Sequence, residues 1–189
     1  MSVDQPIVNI TGERVALGPL RRDLIPTYQR WFNDFETDRT QGDLAGPRTL
    51  ERATGWYERN ATSDDSFWFT VYELATWRVI GMTWLSDIDH HNGTCFFAIS
   101  IGETSARGKG YGTEITRLML DFGFNRLGLH NIALDVFENN PAGIRAYQKA
   151  GFTEFGRIRE AYVSGGRRWD VILMEIVVGD GGRGMGDEA

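Results

Sequence analysis

The chain has 189 residues, 41% of them hydrophobic and 24% charged, with a formal net charge of −6. That length and composition fit one folded domain with a sizeable core and exclude a disordered or fibrous chain. The acidic balance argues against nucleic acid as the partner and suits a cationic one.

The single cysteine, Cys95, excludes an internal disulfide and a cysteine-cluster metal site, and fits a cytoplasmic chain. Asp89, His90 and His91 form the one conceivable metal cluster. Neighbouring side chains on an extended segment point to opposite faces, so no metal site is expected there. No basic leader followed by an apolar run opens the sequence, and no stretch is long and apolar enough to span a membrane.

Taken in order, residues 14–20 read as a first strand. A helix opens at Arg22-Asp23-Leu24 and passes through Tyr28, Trp31 and Phe32, which follow helical spacing. Residues 35–47 are polar and glycine-bearing and read as a loop. Thr49 then caps a second helix over 50–60 that carries Trp56 and Tyr57. Residues 66–72 and 79–85 are β-forming runs joined by a short turn at 76–78, a hairpin. His91-Asn92-Gly93 marks the next turn, and residues 95–101 the strand after it.

Beyond Gly112 the apolar period changes. Ile115, Leu118, Met119 and Phe122 lie on one face of an amphipathic helix. Residues 131–137 alternate as a strand. Pro141 starts a helix that reaches Lys149 and is closed by Gly151. Residues 152–178 form a last hairpin, turned at Ser164-Gly165-Gly166. The order is βααβββαβαββ: a mixed α/β domain, mostly antiparallel, with a parallel pair and right-handed crossover across 97–137. Residues 1–178 make the domain, and the glycine-rich residues 179–189 read as a disordered tail.

The stretch richest in chemistry is Arg107-Gly108-Lys109-Gly110-Tyr111-Gly112-Thr113. Three glycines between a strand and a helix let backbone N–H groups converge on a phosphate, and the helix dipole adds positive potential there. Arg107 and Lys109 supply full charges for a pyrophosphate. The spacing fits neither a Walker loop, which needs Lys followed by Ser or Thr, nor a dinucleotide fingerprint. A glycine-rich turn without a ligand is the alternative reading.

Arg107-x-x-Gly110-x-Gly112 resembles the acyl-CoA pyrophosphate signature of the GNAT superfamily of N-acetyltransferases. A second segment at the expected distance, from Asn140 through Tyr147 and Lys149 to Gly151-Phe152, resembles that superfamily's Asn-x-x-Ala-x-x-x-Tyr-x-Lys-x-Gly-Phe motif, with Gly143 at the usual Ala. Residues 85–92 and Gly112-Thr113-Glu114 are similar to the branch that holds ribosomal-protein alanine acetyltransferases and spermidine acetyltransferases. The likeness covers about residues 14–178.

The resemblance implies a sheet that splays beside the loop, with acyl-CoA lying in the splay. Backbone groups of Ile99, Ser100 and Ile101 would pair with the pantetheine arm. The segment Arg107, Gly108, Lys109, Gly110, Tyr111, Gly112 and Thr113 would hold the pyrophosphate, and Asn140 and Lys149 would complete the acyl-CoA site. Tyr147 matches the family's general acid, placed to protonate or hydrogen-bond the leaving sulfur. Related enzymes carry Glu on the strand before the loop, where Phe96 stands here. Asp87 and Asp89 are therefore candidates for a water-mediated base, with a turn role as the alternative. Direct attack in a ternary complex is expected, since Cys95 lacks the partners of a nucleophile.

The same resemblance places the acceptor site across the sheet, with Trp31, Phe32, Asn33, Asp34, Glu36 and Asp38 beside it. An aromatic and acidic lining would suit a cationic amine; core packing of the aromatics is the alternative. The expected activity is acetyl transfer from acetyl-CoA to a small cationic amine (a polyamine, or an amine-bearing antibiotic or metabolite). A peptide N-terminus and a non-catalytic acyl-CoA sensor are the other readings, and a homo-oligomer, as a dimer, is expected from the family.

Overall fold

The computed structural model describes residues 6–40, 42 and 46–179. One sheet of eight strands runs through it in the order β1-β2-β3-β4-β5-β6-β8-β7. The strands are β1 (Ile10–Thr11), β2 (Val15–Pro19), β3 (Phe67–Glu73), β4 (Arg78–Asp89), β5 (Thr94–Ser100), β6 (Asn131–Phe137), β7 (Thr153–Ser164) and β8 (Arg167–Val177). The helices are α1 (Ile25–Phe32), α2 (Phe35–Asp38), α3 (Leu50–Ala61), α4 (Tyr111–Asp121) and α5 (Pro141–Ala150). Every neighbouring pair is antiparallel except β5 and β6, which run parallel around the crossover helix α4.

Alternation along the strands sorts side chains to two faces. One face carries Leu85, Cys95, Phe97, Ile132, Leu134 and Val136 and packs against Ile115 and Met119 of α4 and Tyr147 of α5. Each fully buried aliphatic side chain in such a layer contributes about 1.5–3 kcal/mol. The other face carries Met82, Trp84 and Trp68, covered by Tyr28, Trp31 and Phe32 of α1 and Trp56 of α3. Tyr28 is anchored there by a 2.8 Å hydrogen bond to Thr70.

Pairing between β5 and β6 is short. It joins Thr94 to Asn131, Cys95 to Ile132 and Phe96 to Ala133, while β5 continues to Ser100 and β6 to Phe137. Beyond Phe96 and Ala133 the two strands part, and the gap between them is the feature that positions the site.

The structure adds to the predicted order in three places. Residues 35–38, read as loop, form the one-turn helix α2, because the Asp34 carboxylate caps it by accepting from the amides of Glu36 and Thr37. Strand β4 runs four residues past Leu85, through a bulge at which Asp87 takes a φ of 51°. The two-residue β1 precedes the first predicted strand and pairs with it. Of the tail expected at 179–189, only Gly179 lies within the described residues.

Candidate active site

Two clefts meet in the gap between β5 and β6. One, of about 340 Å³, is lined by Arg107, Gly108, Gly110, Gly112 and Thr113 of the glycine loop and by Ala142, Ala146 and Lys149 of α5. The other, of about 420 Å³, is lined by Trp84, Asp87, Phe96, Ala98, Asp135 and Phe137. Thr40, Ile99, Asn140 and Tyr147 line both, so the two clefts are halves of one passage through the sheet.

The glycine loop is shaped by backbone that L side chains rarely adopt. Gly108 and Gly110 have φ of 73° and 83°, and Gly110 is the cap of α4 with no side chain to occupy its end. Glu114 is the first residue of the helix to bond back, to the Gly110 carbonyl, so the amides of residues 111–113 have no intrahelical acceptor. A helix end with free donors favours an anion. Arg14 holds the loop from outside: its Nη1 donates to the Lys109 carbonyl at 2.9 Å and its Nε to Glu114 Oε2 at 3.0 Å. A β-carbon on Gly112 would stand 3.8 Å from Ala146 Cβ and 3.9 Å from Ile101 Cδ1, which is ordinary contact, so the space above this turn is open to a ligand. These residues fit a pyrophosphate.

The two cations of the loop, however, have protein partners. Arg107 donates through Nε to the Ile101 carbonyl at 2.9 Å and through Nη2 to Thr37 Oγ1 at 2.6 Å, tying the loop to α2. Lys109 Nζ lies 3.8 Å from Glu73. Tyr111, expected at the pyrophosphate, turns inward and donates to Glu73 Oε1 at 2.8 Å. Hydrogen bonds from Thr76 and Tyr111 hold the Glu73 carboxyl below the usual range. The cradle is thus built mainly of backbone amides, and the full charges expected in it serve to brace it.

Among the other acyl-CoA residues, Ile99 and Ile101 line the passage. The Ser100 side chain is buried, and the residue pairs with Met82 of the neighbouring β4. Asn140 lines both clefts while capping α5, its Oδ1 accepting from the Gly143 amide at 2.9 Å. Lys149 lines the loop-side cleft.

Tyr147 stands where the clefts join. Its ring packs edge-on against Phe97 and Phe152. Its hydroxyl has no hydrogen-bond partner among the described residues. Burial, and then the charge of Asp135, push the phenol well above the ordinary tyrosine range, so it stays protonated and can only donate or share its proton. Cys95 is buried beneath the sheet, and burial pushes its thiol up to about 12, which removes it as a nucleophile.

The residues expected to line the acceptor site divide. Asp87 does line the cleft. Asp89 does not: its carboxylate accepts from the amides of His91 and Asn92, both at 2.9 Å, and from the Asn92 side chain, which hold it below the usual range. It is a turn residue. Trp31, Phe32 and Asn33 also lie outside the clefts. Trp31 is buried and donates to Glu103, Phe32 packs edge-on against Trp56, and Asn33 holds the backbone of Arg48. Asp34 is consumed as a helix cap and Glu36 pairs with Arg39; the Asp38 side chain lies outside the described residues.

Sequence reading missed Thr37, Thr40 and Asp135. The last was legible in principle: with Ile132, Leu134 and Val136 inward, alternation sends Asp135 to the open face. Asp135 is open to the cleft, yet the surrounding protein withdraws enough water to raise its carboxyl above the ordinary range. Phe96 lines the same cleft and is 48% exposed. Among the described residues no group of three His, Cys, Asp or Glu side chains is gathered to hold a metal ion, and no helix is long and apolar enough to cross a membrane.

Comparison with known proteins identifies the family. Residues 14–153 match the acetyltransferase (GNAT) domain family. The spermidine N(1)-acetyltransferase of Vibrio cholerae is 34% identical over 107 residues, 57% of this chain and 61% of that enzyme. The human alpha/beta-tubulin-N-acetyltransferase 9 is 27% identical over 157 residues, 77% of this chain and 75% of that protein. The crystal structure of spermidine N-acetyltransferase from Vibrio cholerae in complex with CoA and spermine superposes with a TM-score of 0.81 at 25% identity, over 88% of this chain and 96% of that one. The chain belongs to the GNAT acetyltransferase family and is an N-acetyltransferase that uses acetyl-CoA as its co-substrate.

Proposed function

We propose that the acceptor is a small cationic amine of the polyamine type, acetylated by direct attack. The observation that carries this is the lining of the larger cleft. Asp87 and Asp135 supply negative charge, and Trp84, Phe96 and Phe137 supply aromatic surface, the pairing that attracts an ammonium group. Two of these aromatics are held in place by stacking, Trp84 on Trp68 at 4.2 Å and Phe137 on Tyr162 at 3.8 Å. The likeness to a spermidine acetyltransferase supports the same reading.

Bound acetyl-CoA supplies the activated acyl carbon. The residues fitted to hold it are the amides at the start of α4, the backbone at Ile99 and Ile101 along the open edge of β5, and Asn140. Tyr147, which lines both clefts, keeps its proton available to the leaving sulfur; because burial makes the phenol a weaker acid, hydrogen bonding is its larger contribution. Cys95, buried and unpaired, supports a cytoplasmic setting, and the exposed Phe155, Ile158 and Val163 of edge strand β7 offer a surface for a second copy. Light scattering of the purified protein tests the oligomer.

The acceptor is tested by kcat/KM for spermidine, spermine, an aminoglycoside and a peptide with a free N-terminus. A preference for the polyamines supports the proposal. A preference for the peptide replaces it with the protein N-terminal reading, and acetyl-CoA binding without turnover would leave the sensor reading.

A further inference from the structure

We propose that Asp135 is the carboxylate that binds the acceptor ammonium and removes its proton, the task for which Phe96 offers no group. The inference rests on the amine-acetylating reading above and names the residue that makes it work.

Placement carries the argument. The last β5–β6 pair is Phe96 with Ala133, so Asp135, two residues further on and on the same face as Ala133, stands at the lip of the gap. Tyr147 reaches the same cleft from the helix-covered face. Donor and acceptor chemistry therefore have a titratable group on either side of the opening. Among the described residues, the other acidic groups near the passage are engaged or further away. Asp89 is held by its turn, Glu103 by Arg30 and Trp31, and Glu138 and Asp170 lie beside Arg157. Asp87 shares the cleft but sits at the bulge of β4, with β5 between it and the gap.

Asp135 has no cation or side-chain donor holding it among the described residues. Among the described residues, the charged or titratable groups that share its cleft are Asp87 from β4 and Tyr147 from α5, and β8 presents the apolar Leu173 opposite it. An anion so surrounded, without a cation, is completed by an ammonium ion.

The chemistry needs such a group. An alkylamine with a pKa near that of lysine, about 10.4, is almost wholly protonated at neutral pH and has no free electron pair. One N–H bond of the ammonium breaks and its proton passes to Asp135. The freed pair forms the N–C bond, the C–S bond breaks with its electrons on sulfur, and Tyr147 hydrogen-bonds that sulfur while the sulfur takes the second proton lost by nitrogen. Asp135 releases the first proton to solvent, so one proton leaves per turnover.

The test compares wild type, Asp135→Asn, Asp135→Glu and Asp87→Asn with acetyl-CoA and spermidine across pH 5–10. Wild-type kcat/KM is expected to rise through a carboxyl ionisation lying above the ordinary range and then level off. Asp135→Asn should lose about 10²-fold at pH 7 and rise log-linearly with pH as free amine becomes available. Asp135→Glu should recover part of the rate, and Asp87→Asn should raise the KM for spermidine through lost cleft charge while keeping the shape of the wild-type pH dependence. Acetyl-CoA affinity by calorimetry should be unchanged in Asp135→Asn. An Asp135→Asn enzyme with wild-type rate and pH profile overturns the proposal. Carboxyl ¹³C NMR of the CoA-bound protein, without turnover, provides a separate readout: spermidine should lower the Asp135 titration, and an unmoved titration also overturns it. Wild-type turnover with an unaltered variant sinks this inference alone, whereas no wild-type turnover with any amine sinks the acceptor reading, and the NMR titration then decides Asp135 independently.

Discussion

Phe96 and Ala133 are the last residues joined across the parallel β5–β6 junction, and Tyr147 lines the gap that opens beyond them. A sheet with one unzipped seam leaves backbone groups of β5 available to a ligand and a passage from one face to the other. Because the Tyr147 hydroxyl has no partner among the described residues, Tyr147→Phe should leave stability within about 0.5 kcal/mol of wild type, as for a substitution that breaks no buried bond. It should lower kcat roughly ten-fold while acetyl-CoA affinity stays constant. Steady-state kinetics beside thermal unfolding check both; unchanged kcat would reduce Tyr147 to packing.

Gly112→Val tests the cradle. A β-carbon there meets only ordinary contacts, and Gly112 lies in a helix whose backbone accepts L residues. The fold should survive, while the added methyls enter the pyrophosphate space and weaken CoA by ten-fold or more, about 1.4 kcal/mol. Calorimetric titration with CoA reads this, and retained affinity in the folded variant would contradict the loop assignment. Gly110→Val is less clean, since a β-branched residue at φ 83° adds strain of about 1–3 kcal/mol.

Arg14 was not singled out by sequence reading, yet it grips the loop through the Lys109 carbonyl and Glu114. Arg14→Ala should cost about 1 kcal/mol in CoA binding, near five-fold, through a loosened loop. Fluorescence or calorimetric titration of CoA checks it, and full affinity would show that the loop is rigid on its own.

Asp89 and Trp31 are predicted to be structural. The Asp89 carboxyl is depressed by the turn's donors, so its stabilisation is present above the unfolded carboxylate pKa and fades as pH falls through the lowered value. Asp89→Asn should lower Tm at pH 7, with the difference shrinking in acid, and leave kcat/KM unchanged. Trp31→Ala should destabilise by about 3–5 kcal/mol, as for a large side chain lost from a core. The conservative Trp31→Phe should keep the order of acceptor preference, and a change in that order would return Trp31 to the acceptor site.

Most of the fold was legible because local pattern and tertiary need agree. The exchange of strand alternation for helical spacing after Gly112 marks the crossover that makes β5 and β6 parallel, and Thr49, Pro141 and Gly151 mark helix ends that the structure keeps. The motifs put a glycine loop ahead of α4 and Tyr147 on α5, and the structure keeps both positions; their roles belong to the proposal. What escaped depends on distant partners. Nothing local shows that Arg107 reaches Thr37, seventy positions away, or that Tyr111 turns in to Glu73. Helical spacing alone leaves Trp31 and Phe32 open between a core and a ligand, and only their distant partners Glu103 and Trp56 show the packing they make. Asp135 was hidden because a lone acid on a strand is remarkable only once the neighbouring strand is known to part from it.

The most direct single measurement is acceptor-dependent CoA release from acetyl-CoA by the purified protein with spermidine, with the acetylated product identified by mass spectrometry. Saturable release that leaves one N-acetyl group on the polyamine is the predicted result. Release that stays at the acceptor-free rate with spermidine, while a peptide N-terminus is acetylated, would contradict it.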